Sequence, residues 1–458
     1  MPPVKTFKEI LAWQKGHRLM VTKILDLHIH SKYSRACSRD LELPNIAAGC
    51  VRKGVDIVAT GDFTHPAWFE HIKKNLIGAG EGVYTLKLQD TSYKIQTNFQ
   101  YQISNIKFII GTEVAVIKKH KDETRRLHLC IYAPDIGTAE KFNNKLDTKG
   151  FNLKSDGRPI LGLTAKQLLE IMLDVDERMV MIPAHAWTPW FGVFGSKSGY
   201  DSLEECFEDL TPRIFAIETG LSSNPLMNWR WSALDNITLV SNSDAHSCAK
   251  LGREANVMWF ETEKDITYDN VMRIIKDGDR DKFLYTIEFY PEEGKYHYDG
   301  HRDCKFVCAP EETKKLKGIC PICKKLLTIG VENRVHELSD RDVSAAEKMA
   351  KKKISYKSLV PLPEIIADTL QIGVNSKAVK KEYGSLIKSF GSEFNILLNI
   401  SEDEIKKASL EQIASAISKV RAGDINIKPG YDGEFGVVKV WGEGGRPVGH
   451  TQAGFWFD

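Results

Sequence analysis

The sequence predicts an α/β fold: a distorted β/α barrel followed by a four-cysteine zinc module and a C-terminal helical domain. Short apolar runs alternate with helical patterns from Ile24 to about Glu288, which favours parallel strands joined by crossover helices. Four cysteines then cluster between Cys304 and Cys323, and helical patterns follow between residues 343 and 422. Barrel, zinc module and helical domain are therefore expected in this order along the chain.

Composition restricts the class of protein. The chain has 458 residues, of which 42% are hydrophobic and 27% charged, as expected for a globular protein of two or three domains. Its net charge of +2 excludes a global attraction to nucleic acid, so any such contact needs a local basic patch. We find neither a long apolar run nor a secretory signal, and five scattered cysteines suit a reducing compartment. We therefore expect a cytoplasmic protein, associated with the nucleoid if it acts on DNA.

The elements follow one another in a clear order. Residues 1–22 hold an accessory amphipathic helix or a start-site artefact, since Met20 would open the barrel directly. The predicted strands are 24–29, 55–60, 108–117, 128–133, 179–187, 214–220, 236–246 and 255–260. Residues 285–300 are typical of a linker, and Ser401 with Glu404 forms a capping box. The predicted domains are 1–22, 23–290 (barrel), 291–335 (zinc module), 336–430 (helical domain) and 431–458 (Gly/aromatic tail).

Polar residues follow the apolar runs in a pattern that suits metal binding. His28 and His30 are two apart, so in a strand both imidazoles point the same way at its C-terminal end. The active sites of β/α barrels lie at that end of the strands. The candidate catalytic and metal-binding residues are His28, His30, Asp62, His65, Glu113, His128, His185, Asp244 and His246. Imidazole and carboxylate suit zinc, manganese or iron, and such metals activate water against a phosphate ester.

The cysteine cluster predicts a second, structural metal. Cys304 and Cys308 are followed after eleven residues by Cys320 and Cys323, a spacing typical of a zinc site with four thiolates. Such a site contributes folding energy to a small module that lacks a large core. Lysines and arginines surround it, which is typical of a solvated face or of a contact with a nucleic-acid backbone.

Two further loops are expected at the same mouth of the barrel. The first, 185–203, is rich in aromatic residues that stack on bases and contains a lysine; the second begins at Glu218, a candidate to support the ligands from behind. The candidate DNA or base contacts are Trp187, Trp190, Phe191, Lys197, Tyr200, Ser222, Ser223, Asn228 and Arg230. Packing within surface loops is the alternative interpretation for both segments.

The order HIH, D-x-x-H, E, H, H and D-x-H resembles the polymerase and histidinol phosphatase (PHP) domain and fills all nine of its ligand positions. The resemblance implies a distorted (β/α)7 barrel and a two- or three-metal phosphoesterase centre. By position, His28, His30, Glu113 and Asp244 would share one metal, and Glu113 would bridge to a second held with His128 and His185. Asp62, His65 and His246 would lie around a third.

The whole arrangement resembles the endonuclease Q family of DNA-repair enzymes. The resemblance extends from about Ile24 to about Val440 and includes DLHIHSKYS, ATGDFTHP, PAHAWTPWFG, ETGLSSNPLMNW, GKYHYDGHRDC and PGYDGEFG. It implies hydrolysis of a DNA strand 5′ to hypoxanthine, uracil, xanthine or an abasic site, leaving 3′-hydroxyl and 5′-phosphate ends. It implies two or three active-site metals (Zn, Mn or Mg) and one structural Zn. A damaged base is cheap to unstack, and we expect its pocket beside the 185–203 loop.

The same motifs are compatible with other functions. A small-molecule phosphatase of the histidinol-phosphate kind would need only the barrel, and a 3′–5′ exonuclease or a non-catalytic DNA-binding protein would share the motifs. Gln452 with Trp456 and Phe457 is similar to a sliding-clamp motif, although its spacing is short. Packing of these aromatics onto the body of the protein is the alternative.

Overall fold

The computed structural model describes residues 21–87 and 102–442. Its strands are β1 Val21–Asp26, β2 Ile57–Ala59, β3 Leu76–Gly80, β4 Val83–Leu86, β5 Lys107–His120, β6 Glu123–Ala133, β7 Ile160–Leu161, β8 Val180–Pro183, β9 Ala216–Glu218, β10 Thr238–Val240, β11 Ala255–Phe260, β12 Phe283–Glu288, β13 Asp299–His301, β14 Phe306–Cys308, β15 Ser355–Ser358, β16 Asn426–Lys428 and β17 Val437–Lys439.

The helices lie between these strands and dominate the C-terminal part. They are α1 Leu43–Lys53, α2 Pro66–Asn75, α3 Ile136–Thr148, α4 Ala165–Val175, α5 Leu203–Phe207, α6 Pro225–Asn228, α7 Tyr268–Asp277, α8 Pro310–Lys315, α9 Val331–Leu338, α10 Val343–Ala350, α11 Leu362–Leu370, α12 Lys377–Phe390, α13 Glu393–Leu398, α14 Glu402–Ala408 and α15 Glu411–Ala422. Within the described part of the chain, none of the helices is both long and apolar enough to cross a membrane.

All eight predicted runs contain a strand, and the predicted mixed α/β architecture is confirmed. The main sheet has the order β15-β12-β11-β1-β2-β5-β4-β3, and β6 pairs with both β5 and β8. Strands β1, β2 and β5 are parallel, and β9 and β10 form a separate parallel pair. The first strand therefore lies inside the sheet, between β2 and β11.

The expectation of parallel strands throughout is wrong for three pairs of the predicted strands. Strands β5 and β6 form a long antiparallel hairpin, β8 is antiparallel to β6, and β11 is antiparallel to β1. Only two residues, at positions 121 and 122, separate β5 from β6, and a connection that short can join only antiparallel strands. The segment predicted as a linker is also partly a strand, because β12 extends to Glu288 and pairs with β11 and β15.

The sheet is buried on both faces because successive strand residues enter different cores. Ile57 and Ala59 pack into one cluster with α7, whereas Val58 packs into the other with α1 and α4. Burying an isoleucine or valine side chain such as Ile57 or Val58 contributes roughly 1.5–3 kcal/mol. The strands are thereby fixed as a rigid support for the loops that leave their C-terminal ends.

The C-terminal helices dock on the barrel through a buried ion pair. Lys53 at the end of α1 lies 2.7 Å from Glu393 in α13, and both side chains are less than a tenth exposed. Glu393 also accepts hydrogen bonds from Leu362 N and the Tyr383 hydroxyl. The predicted capping box of Ser401 and Glu404 is confirmed at the start of α14.

Both termini fall largely outside the described residues. The predicted accessory helix at 1–22 overlaps β1 by two residues, and its remainder lies outside the described part. The motif from Gln452 to Phe457 also lies outside it.

Candidate metal centre

The predicted ligands converge from separate strands. His28 and His30 follow β1, Asp62 follows β2, Glu113 lies within β5 and His128 within β6. His185 and Asp244 follow β8 and β10. The ligand atoms of these segments meet in two groups that share Glu113. The strands therefore place the site at one mouth of the barrel, as the sequence predicts.

The first group consists of His28, His30, Glu113 and Asp244, whose ligand atoms lie within 4.8 Å of one another. His30 Nε2 is 3.1 Å from Asp244 Oδ1 and 3.3 Å from Glu113 Oε2. His28 Nε2 is buried without a hydrogen-bond partner, 3.6 Å from Glu113 Oε1. An orphaned imidazole nitrogen facing two carboxylates is a set of donors that fits a divalent metal.

The second group consists of Glu113, His128 and His185. Glu113 Oε1 lies 2.9 Å from His128 Nδ1 and 3.3 Å from His185 Nε2. The other oxygen, Oε2, faces His30 in the first group. Oε1 also lies 3.6 Å from His28 Nε2, so the carboxylate of Glu113 contacts both groups and is placed to bridge two metals.

The third predicted group is not assembled in the same way. Asp62 accepts hydrogen bonds from the backbone and hydroxyl of Ser31, and its Oδ1 lies 3.0 Å from His30 Nδ1. The ring of His65 stacks on Tyr33 at 4.3 Å. Among residues 21–87 and 102–442, Asp62, His65 and His246 do not form a group with ligand atoms within 4.8 Å. In this arrangement Asp62 orients His30 from behind.

Glu218 orients His28 in the same way. Its oxygens lie 3.0 and 3.1 Å from His28 Nδ1, and they also accept hydrogen bonds from His185 N and Asn242 Nδ2. A carboxylate on Nδ1 fixes the tautomer that leaves Nε2 free for a metal. The hydroxyl of Thr188, 2.8 Å from His185 Nδ1, fixes the tautomer of His185 in the same way.

The backbone is strained at three of the predicted ligands. Asp62, His185 and Asp244 have φ values of 48°, 28° and 45°, in the left-handed region that residues other than glycine rarely adopt. Gly220 makes the turn at His185 feasible, because a Cβ at this position would lie 2.5 Å from that of His185. Such strain persists only where the surrounding structure imposes it, and it is common at functional sites.

The electrostatics favour an ionised Glu113. Burial raises its pKa, but a hydrogen bond from His128 and the nearby charges of Arg158 and His28 outweigh burial and hold the pKa well below its usual range. Burial lowers the pKa of His128 to about 4, so this imidazole is neutral at physiological pH. Charged carboxylates and a neutral imidazole are the forms that bind metals.

Sequence reasoning missed two residues of the centre. Arg158 donates to Glu113 Oε2 at 2.8 Å and remains partly exposed at the mouth of the site. Cys130, treated above as a scattered cysteine, is buried within reach of His28 and Glu218. Burial raises the pKa of Cys130 to about 12, which keeps the thiol protonated. Neither residue follows a strand end, so neither gives a local signal.

The structure changes the membership of the cysteine group. It brings together the ligand atoms of His301, Cys304, Cys320 and Cys323 within 4.8 Å. The predicted ligand Cys308 lies outside that group, with its Sγ 3.1 Å from the Thr313 hydroxyl. His301 was not among the predicted ligands, because cysteine spacing alone directed attention to Cys308.

Several predicted DNA contacts lie in the protein interior. Trp187 is fully buried and donates to Asn228 Oδ1, and Asn228 in turn donates to Ser223 Oγ. Tyr200 is also buried, and Arg230 forms an ion pair with Glu332. We correct the interpretation of these five residues: they hold the two loops in shape, because they are buried and bonded to other groups of the protein.

Other candidates remain accessible. Trp190 is 39% exposed, and with Ser222, Tyr296 and His297 it lines a cavity of about 200 Å³. Thr188, which contacts the ligand His185, lines the same cavity. Lys197 is exposed, and the ring of Phe191 stacks on that of His128 at 4.2 Å.

Comparison with known proteins gives matches for the whole chain and for its parts. Residues 361–424 match the family described as the MJ0043 C-terminal domain. Protein MJ0043 of Methanocaldococcus jannaschii is 32% identical over 256 residues, 56% of this chain and 31% of that protein. Protein YqxK of Bacillus subtilis is 27% identical over 319 residues, 68% of this chain and 74% of that protein. The chain thus spans about a third of the length of MJ0043 and about three quarters of that of YqxK.

Two solved structures match over nearly the whole chain. The lesion-specific endonuclease PfuEndoQ from Pyrococcus furiosus has a TM-score of 0.77 and 30% identity, covering 92% of this chain and 96% of its own. A second structure is endonuclease Q in complex with a 27-mer duplex that carries an abasic lesion at the active site. It has a TM-score of 0.75 and 31% identity, with the same coverage.

Proposed function

The chain belongs to the endonuclease Q family, and from this premise we propose that it is a metal-dependent endonuclease that cuts DNA at damaged nucleotides. The observation that carries the proposal is the pair of ligand groups joined by Glu113 at the mouth of the barrel. Two adjoining sites of carboxylates and imidazoles suit the hydrolysis of a phosphate ester. The relative solved with an abasic duplex supports DNA as the substrate class.

The proposed chemistry is hydrolysis of the phosphodiester 5′ to the lesion, leaving 3′-hydroxyl and 5′-phosphate ends. Divalent metals, which we propose to be two or three ions of zinc, manganese or magnesium, would supply activated water and neutralise the phosphate charge. His28, His30, Glu113 and Asp244 would hold one ion, and Glu113, His128 and His185 another. Asp62 and Glu218 orient His30 and His28 through the Nδ1 atoms of these imidazoles. Asp62, His65 and His246 are the residues that we propose around a third ion.

Arg158 has a separate role in the proposal. Its guanidinium compensates the charge of Glu113 and is 22% exposed at the mouth of the site. A planar guanidinium matches the oxygens of a phosphate. We assign Arg158 to orienting the scissile phosphate beside Glu113.

The cavity beside Trp190 and Ser222 is the proposed pocket for a base turned out of the helix. Thr188 lines the cavity and contacts His185, so a base in the cavity would leave its own phosphate near the ligand groups. Deaminated bases such as hypoxanthine, uracil and xanthine pair weakly and are cheap to unstack, which favours their capture. A structural zinc in the cysteine module would brace the segment at 296–297 that lines this cavity. With a substrate of this kind the enzyme would act at the nucleoid.

A nicking assay tests the proposal. The substrate is a 5′-labelled duplex with one deoxyinosine or abasic site, with manganese, magnesium or zinc added to the native protein, His28→Ala and Asp244→Asn. We expect one nick 5′ to the lesion that both variants lose, whereas the matched control Asp122→Asn, in an exposed turn, retains it.

Other outcomes would contradict the proposal in distinct ways. A ladder that begins at the 3′ end would mean an exonuclease. Phosphate release from small monoesters without any cleavage of DNA would mean a phosphatase. Binding of lesion DNA without cleavage under any metal would mean a non-catalytic DNA-binding protein.

A further inference from the structure

A second cavity lies at the end of strand β10 that is farther from the metal centre. It has a volume of about 260 Å³ and lies between the start of β10, the end of α7 and the turn before β15. Thr238, the first residue of β10, lines this cavity. Asp244 of the first ligand group follows the other end of the same strand. A molecule in the cavity would therefore leave the catalytic mouth free.

Three basic side chains line the cavity without a carboxylate partner. They are Lys276 at the end of α7, Arg280 in the turn that follows, and Lys352 in the turn before β15, and all three are exposed. Within the part of the chain that the structure describes, none of the three forms an ion pair. A concave surface lined by uncompensated charges of one sign concentrates ions of the opposite sign. The cavity is thus suited to an anion.

The acidic residues of the cavity do not cancel this charge, because each already has a basic partner. Asp235 accepts a hydrogen bond from Arg341 at 2.7 Å and lies 3.6 Å from Lys353 Nζ. Asp277 lies 3.2 Å from the guanidinium of Arg273. Two cations on Asp235 and one on Asp277 leave the three unpaired basic groups in excess.

The remainder of the lining is partly apolar. Ile237, Leu239 and Ile354 contribute aliphatic side chains, and Asn236 and Thr238 contribute an amide and a hydroxyl. Ligand cavities combine apolar walls with a few polar groups and usually enclose about 300–1,000 Å³, so this one suits a small molecule. An asparagine amide offers both a donor and an acceptor, as does the edge of a nucleobase.

We propose that this cavity binds a mononucleotide. Its phosphate would lie among Lys276, Arg280 and Lys352, since guanidinium and ammonium groups bind phosphate oxygens with charge-assisted hydrogen bonds. Its base would cover the aliphatic wall, with Asn236 at its edge. Inorganic phosphate would use the basic groups alone and leave this wall uncovered. The proposal does not rest on the proposed cleavage of DNA, because the cavity shares no residue with the ligand groups.

The test is isothermal titration calorimetry of the full-length protein with AMP in a buffer that contains a chelator of divalent metals. We expect one site per chain in the native protein. Removing two of the three unpaired cations, in Lys276→Ala combined with Lys352→Ala, should weaken AMP at least about tenfold. The matched control combines Lys380→Ala with Lys388→Ala, two exposed lysines of α12, and should bind AMP like the native protein. Equal affinity of the first variant and the native protein would overturn the proposal, as would the absence of any AMP binding.

Two further titrations separate this site from other ways of binding AMP. Inorganic phosphate should bind at least about tenfold more weakly than AMP, because it lacks the base; equal affinity would mean a site for small anions and no nucleotide site. Arg158→Ala should leave the affinity for AMP unchanged, whereas a loss would place the nucleotide at the catalytic mouth and refute the assignment. Binding is measured here without cleavage, so a failure of the nicking assay would not affect this result.

Discussion

Substitution of Glu218 by glutamine tests how the first ligand group is prepared for its metal. The carboxylate accepts hydrogen bonds from His28 Nδ1, His185 N and Asn242 Nδ2. Glutamine offers one acceptor oxygen, so its amide nitrogen must face a group that also donates. The variant therefore loses at least one charge-assisted hydrogen bond, which stabilises by about 1.5–3 kcal/mol.

That loss corresponds to roughly a 10–100-fold decrease in metal affinity, the range found when groups that orient metal ligands are changed. The assay is nicking of the lesion duplex as a function of manganese concentration, with metal content measured in parallel. We expect the midpoint of the metal titration to increase and high metal to restore much of the rate. The matched control is Glu404→Gln, since Glu404 caps a distant helix. If Glu218→Gln folds normally and its metal midpoint stays within about twofold of the native value, the orienting role is refuted.

Three further predictions follow from the fold. Gly220→Ala should reduce the rate of nicking at least about tenfold, because residue 220 has a left-handed backbone and the new Cβ would collide with His185. The control Gly373→Ala should leave the rate unchanged, because nothing lies within 4 Å of a Cβ at that position. Glu393→Ala should lower the free energy of unfolding, measured by denaturant titration, by about 3–5 kcal/mol, because it leaves Lys53 buried and unpaired. Adding Lys53→Met to the same chain should partly reverse this loss. Burial raises the pKa of Glu288 from 4.5 to about 7, so the folded state keeps a proton that the unfolded state releases, and stability decreases as pH rises from about 4.5 to 7. The free energy of unfolding of Glu288→Gln, taken relative to that of the native protein, should therefore increase by up to about 3 kcal/mol between pH 4.5 and pH 8. Both proteins are unfolded at both pH values, and a difference between them that does not change with pH would contradict this.

Much of the metal centre was predictable because its ligands follow apolar runs. His28, His30 and Asp244 each lie within four residues of the end of a strand, and parallel strands bring such ends together. Arg158 escaped prediction because it reaches Glu113 from a loop between two other elements, and only the tertiary fold brings the two together. The left-handed backbone at His185 also has no sequence signal, since it is imposed by the neighbouring loop at Gly220.

Errors in the sequence analysis have definable physical causes. The polar run around Lys121 hides a two-residue turn, so the β5–β6 hairpin was taken for two parallel strands. An aromatic residue in a loop has the same local signal whether it stacks on a base or fills the loop, so Trp187 and Trp190 could not be distinguished. The position of His301 beside Cys304, Cys320 and Cys323 was not predicted, because a lone histidine three residues before a cysteine is a weak signal.

The central position of β1 has a consequence for the time at which this centre first exists during synthesis. His28 leaves the ribosome early, but its partner Asp244 and the strand that pairs with β1, β11, emerge only after most of the barrel. A nascent chain that lacks them has an incomplete ligand group and an open sheet edge. We therefore expect no cutting of DNA by unfinished chains, so that a potentially harmful centre first appears only once nearly the whole barrel has been made.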